Sequence, residues 1–286
     1  MKAELKYLKL YSTIFLISCL PNFSVAQDIN VSQEEMIVEY YAIPSPDEIL
    51  SYIHNNEIKY TPSLMSDLQK SNLYHTSTER LLSFGIYMAD MAYAASFEQS
   101  GTALRYFELT ETIGKNLNLF PPEIQNIAER IINNMNRMDS INEIYDELYL
   151  LVISNLHDTD RFGEYALISA GGFIESMYLA LNSNGSKIKE DDFSMRVWDQ
   201  KMILDQLNNM FDKYLNETQK KQLLEDFKGL NKGYNEYSSV SSKTTSETRN
   251  DGAVILANPS QKQPKSSPID NIHKEVNILR EKWIKK

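Results

Sequence analysis

Two acids stand where acids are scarce. Asp90 is the only charge in Leu81–Phe97 (LLSFGIYMADMAYAASF), and Glu175 the only one in Leu167–Leu181 (LISAGGFIESMYLAL). A charge in a run that reads as buried needs partners or takes up a proton. Tyr87, Tyr93, Arg105 and Arg161 are the partner candidates for Asp90. If the two runs pack together, the acids face each other, and paired carboxylates can do acid–base work or hold a metal. Structural networks also hold such residues, and a hydrogen-bonded core carboxylate joining two helices is the reading adopted here. Asp90, Glu175, Tyr87 and Tyr93 are therefore binding candidates, with no catalytic residue assigned. A small helical enzyme working through Asp90 and Glu175 is the alternative.

Other chemistries find little support. His54, His75, His157 and His273 are scattered, none in a His-Glu-x-x-His pattern and none three residues after a Glu. No metal and no cofactor is expected from that spacing. Gly171 and Gly172 follow no strand and precede no Lys-Ser/Thr pair, so they are not a phosphate loop. There is no Gly-x-Ser-x-Gly elbow. The 17 tyrosines suit packing, with the hydroxyl at the rim, better than a ligand groove. The net charge of -10 argues against nucleic acid and against an anionic membrane surface. Cys19 is the only cysteine, which excludes an intramolecular disulfide.

The elements that position the acids read as helices. Gly85, Ala89, Ala92 and Ser96 share one face at helical spacing, and a face that small lets a neighbour approach closely. Gly171 and Gly172 cost about 1 kcal/mol each in a helix, which suggests that the second run packs against that small face. Thr76–Glu79 is a capping box opening the first run, and Ser45-Pro46-Asp47-Glu48 and Ser140–Glu143 are two more. A short helix is expected over Ser63–Lys70 and long ones over Thr102–Leu117, from Pro121-Pro122 onward, and from Ser140 onward. Others are expected over Phe162–Leu181, over Asp192–Leu215, and from Asn216–Gln219 to about Leu230. The fold class is all-α, a bundle of about eight helices with two central small-residue-rich helices and a tethered C-terminal amphipathic helix.

The chain divides into a signal (1–26), a helical domain (27–236), a polar linker (237–267) and a last helix (268–286). Lys2, Lys6 and Lys9 precede a short apolar run, and Ser24-Val25-Ala26 offers a cleavage site before Gln27. Leu16-Ile17-Ser18-Cys19 competes as a lipobox, with Cys19 the lipidated residue; cleavage after Ala26 is favoured. Both readings export the protein to the periplasm or to an outer-membrane-associated position, with membrane contact only through lipid at Cys19. In the linker, Ala253–Ala257 is the one strand candidate. In the last helix, Ile269, Ile272, Val276, Leu279 and Trp283 form an a/d seam. It docks on the body, or alternatively on an envelope protein partner.

Three pieces together resemble a family of exported bacterial helical proteins, often lipoproteins, with no activity assigned. They are Pro44-Ser45-Pro46-Asp47-Glu48-Ile49-Leu50, the segment Phe84–Leu119, and Leu167–Leu181. The family's Gly-x-Tyr-x-Ala-Asp-x-x-Tyr pattern is matched by Gly85, Tyr87, Ala89, Asp90 and Tyr93. The resemblance implies an all-helical fold, export and a frequent lipid anchor, and no mechanism. The function expected is that of an exported, non-catalytic binding or structural protein of the bacterial cell envelope.

Overall fold

The computed structural model describes residues 58–121, 127, 130, 133, 138–183, 191–238, 245–248, 254–257 and 266–284, all within one compact unit, 42–286. The signal and Cys19, the Ser45 capping box, the restart at Pro122 and the capping side chains of 140–143 lie outside what is described.

Among the described residues two short 3-10 turns, Pro62–Leu64 and Leu68–Leu73, precede eight α-helices. These are α1 (Ser77–Ser96), α2 (Ser100–Asn116), α3 (Met138–Asp158), α4 (Phe162–Ser183), α5 (Asp191–Asp199), α6 (Lys201–Tyr214), α7 (Glu217–Ser238) and α8 (Ser266–Trp283). The fold is an all-α bundle. Among the described residues the only strands are β1 (Thr245–Thr248) and β2 (Val254–Ala257), paired antiparallel with Thr245 opposite Ala257. Part of the stretch read as polar linker is thus a small hairpin.

The core is built on α1 and α4. Every residue from Leu81 to Ala95 is buried, and most of Tyr165–Leu181 is too. The two helices run parallel, with Leu82 beside Gly171, Gly85 beside Ile168 and Gly172, and Tyr93 beside Ser183. A side chain at Gly85 would fall on the Ile168 carbonyl, and one at Gly171 on the Leu82 carbonyl. The glycines thus remove the atoms that would hold these backbones apart, as the small-residue stripe predicts. The Thr76 capping box forms as expected, its hydroxyl accepting from Glu79 N at 3.1 Å.

The tail helix α8 docks on the body. Ile269, Ile272, Val276, Leu279 and Trp283 are all buried, and Trp283 packs on Phe227 of α7 at 5.7 Å. Ile272 lies over Gly233, so α7 and α8 run antiparallel.

Two expectations fail for identifiable reasons. The single helix read over 192–215 breaks at Gln200. The Val197 carbonyl, which a continuous helix would give to Lys201 N, accepts instead from Gln200 N (3.3 Å) and from the buried Tyr234 hydroxyl (2.8 Å). The helix read over 63–70 is replaced by the two 3-10 turns with extended backbone between them, Met65 at ψ 152° and Asp67 at ψ 119°. A helix there would need backbone groups of residue 66 that other side chains already occupy.

Candidate functional site

Ser66 is the hinge of the arrangement. Its N–H donates to Asp90 Oδ2 at 3.0 Å, and its carbonyl accepts from Tyr106 Oη of α2 at 2.6 Å. Its hydroxyl reaches Glu175 Oε1 at 3.5 Å. The two acids singled out in the sequence are therefore brought together, one from α1 and one from α4, across one irregular residue. Both are 0% exposed.

The cation that answers them comes from the tail. Arg280 Nε donates to Glu175 Oε2 at 2.8 Å and Nη2 to Glu175 Oε1 at 2.8 Å, a bidentate pair. Nη2 also reaches the Leu64 carbonyl at 2.8 Å and Ser66 Oγ at 3.2 Å. The guanidinium lies over the Tyr178 ring, 3.8 Å from its centroid. Burial works against the charge on Arg280, but Glu175 outweighs it and the guanidinium is held more firmly protonated than in water.

Asp90 behaves differently. Burial raises its pKa well above the usual carboxylate range, and the neighbouring charge of Glu175 raises it further. The Ser66 N–H and Arg280 pull the other way without reversing the shift. Asp90 therefore holds its proton far more strongly than an exposed aspartate. Its Oδ1 is buried with no hydrogen-bond partner. Tyr106 and Tyr87 are also pushed up, chiefly by burial, so neither hydroxyl is a ready proton source.

Tyr87, Tyr93 and Tyr106 turn their hydroxyls onto the protein's own backbone. Tyr93 Oη accepts from Thr61 N at 3.0 Å and shares a bond with Ser183 Oγ at 2.9 Å. Tyr87 Oη donates to the Asp67 carbonyl at 3.3 Å. With Tyr106 on Ser66, three buried tyrosines pin the backbone of residues 61–67 onto the bundle. They pack, as read from the sequence, but their hydroxyls bond to the protein's own main chain rather than sit at the rim.

The partners proposed for Asp90 are elsewhere. Arg161 donates to the Leu117 (2.8 Å) and Asn118 (2.6 Å) carbonyls and pairs with Glu164, closing the end of α2. Arg105 donates to Thr102 Oγ1 at 3.3 Å on its own helix. Neither bonds to Asp90. Arg280 and Ser66 were missed. A signal for Arg280 exists: His273, Asn277 and Arg280 make a polar stripe beside the apolar seam, at the same kind of spacing as Glu175, Tyr178 and Asn182 on α4. The structure runs these stripes antiparallel. Asn182 donates to Asn277 Oδ1 at 3.2 Å, and its Oδ1 meets His273 Nε2 at 3.1 Å. Burial lowers the pKa of His273, with Asp270 opposing, so the ring favours its neutral form there.

No group of described residues has the make-up of a metal site, and no described helix is long and apolar enough to cross a membrane. A shallow surface groove along α7 includes Lys220, Lys221, Leu224, Asp226 and Lys282 in its lining, and none of the acid cluster. The class these features define is an all-α bundle with a buried ionic clasp for its terminal helix. No family model, curated protein or solved structure matches the chain.

Proposed function

We propose that this is an exported, non-catalytic binding or structural protein of the bacterial cell envelope. The observation that carries the non-catalytic part is the state of Glu175, fully buried and held at both oxygens by Arg280. A general base must reach the proton it abstracts. Here both acids are covered by the protein's own helices; the bonds of Glu175 fasten α8 to α4, and that of Asp90 holds residue 66 to α1. Export rests on the leader, with lysines ahead of a short apolar run and a small-residue cleavage site after Ala26.

The apolar seam of α8 is filled by the body, so a partner that reads the tail meets its outward face, where Ile278 is half exposed. Cell fractionation with mass spectrometry of the native N-terminus tests the address. A chain beginning at Gln27 in the periplasm or envelope is expected, or one beginning at lipidated Cys19. A full-length cytoplasmic chain refutes export. A turnover lost on Glu175→Gln without loss of fold would refute the non-catalytic reading.

A further inference from the structure

The surroundings of Arg280 form a receptor that belongs to the body rather than to the tail. Both Glu175 oxygens, the Leu64 carbonyl, Ser66 Oγ and the Tyr178 ring come from α4 and residues 64–66. A bidentate carboxylate on the edge and an aromatic ring on the face fit a planar fork. They do not fit the compact, rotating head of an ammonium. A second observation points the same way. Asp90 Oδ1 is buried in the same cluster with no hydrogen-bond partner, so the receptor keeps a polar atom that its occupant leaves unused. The Arg280 side chain retains 14% exposure, so the position it fills has an opening to water.

We propose that the meeting point of α1, α4 and residues 64–66 is a guanidinium-binding site, with Arg280 as its tethered ligand. The site takes an alkylguanidinium from outside when the tail's own head group is absent or displaced. The ligand class is a single guanidinium on an alkyl stem, whether a free small molecule or an arginine carried by another chain. A tether of this kind holds its ligand at an effective concentration in the millimolar range, so an external ligand competes poorly with the intact tail. The inference deepens the non-catalytic binding reading and rests on it.

The test uses the full chain carrying Arg280→Ala, with thermal melting followed against added methylguanidinium at millimolar concentrations. Methylammonium at equal ionic strength is the control. A saturable rise of several degrees with methylguanidinium is expected. A clearly smaller rise is expected with methylammonium, and none in the wild type or in Arg280→Ala combined with Glu175→Gln. A parallel titration with Nα-acetyl-arginine amide separates the sources. A response at lower concentration than methylguanidinium assigns the site to a chain-borne arginine, and the reverse order assigns it to a free head group. No saturable rise, or an equal rise with methylammonium, overturns the proposal. If Arg280→Ala does not accumulate folded, refolding yield in the two cations makes the same comparison, and equal yields overturn it. A failed rescue leaves the non-catalytic reading standing, whereas a turnover abolished by Glu175→Gln would sink that reading without touching the rescue.

Discussion

Four glycines should respond very differently to the same added methyl group. Alanine in a helix interior gains about 1 kcal/mol over glycine. At Gly101 of α2 nothing lies within 4 Å of the new carbon, so Gly101→Ala should be neutral or stabilising by up to about 1 kcal/mol. At Gly172 the nearest atom is the Gly85 carbonyl at 3.5 Å, an ordinary contact, so the substitution should cost little. At Gly85 and Gly171 the new carbon lands on a backbone carbonyl of the opposite helix. Backbone atoms cannot rotate aside as a side chain can, so α1 and α4 must separate along a fully buried seam. Overpacking typically costs 1–3 kcal/mol and occasionally more, and a rigid neighbour puts these two sites at the upper end. The net loss should be about 2 kcal/mol or more after the propensity gain. At about 2–4 °C per kcal/mol for a chain of this size, the melting temperature falls by about 4–8 °C or further. Circular dichroism melts with matched urea titrations measure all four. Equal effects at Gly85 and Gly172 would refute the reasoning, because the opposite backbone crowds the new carbon at the first and not at the second.

Three further outcomes follow from the clasp and the helix ends. Arg280→Met leaves Glu175 buried without its cation and should cost about 3–5 kcal/mol, most of it recovered by adding Glu175→Met; urea unfolding of the cycle checks this. Asp90 has a folded pKa above its unfolded one, so its contribution is whole below the unfolded value and is lost as pH rises through the folded value. Asp90→Asn escapes that loss and should gain on the wild type in melting temperature from pH 4 to pH 8; a gain that shrinks over that range contradicts the raised pKa. Glu98 and Asp160 sit at φ 59° and 55° just past the ends of α1 and α3, where glycine is at ease. Glu98→Gly and Asp160→Gly should each stabilise by about 0.5–1 kcal/mol in the same unfolding assay.

The helical frame was legible because its signals are local. Thr76 and Glu79 are three residues apart, and the Gly85–Ala89–Ala92–Ser96 face repeats at the helical period. The candidate site was legible only in part. Asp90 and Glu175 stand out because each is alone among uncharged neighbours. Arg280 does not, because it lies in a charged stretch of an amphipathic helix, and a cation beside an apolar seam usually points to water. Its role depends on a contact 105 residues distant in sequence, so the polar stripe on α8 marks a face without naming its partner. Ser66 was hidden for a similar reason. Its part is played mainly by backbone groups, which every residue type shares. The break at Gln200 depends on the hydroxyl of Tyr234, 37 residues beyond Val197, and so was invisible to a periodicity that runs smoothly through 192–215.

The pinning of residues 61–67 by Tyr87, Tyr93 and Tyr106 separates where a shape is written from where it appears. Because the three hydroxyls grip main-chain atoms, the path of this stretch is encoded in α1 and α2, and its own letters are left comparatively free to drift. Changes at the exposed Pro62 or Ser63 would alter what the stretch shows to its surroundings while its course stays put. Trimming a single oxygen from Tyr106, in a helix that scarcely touches the tail, would loosen the floor on which the tail's arginine rests.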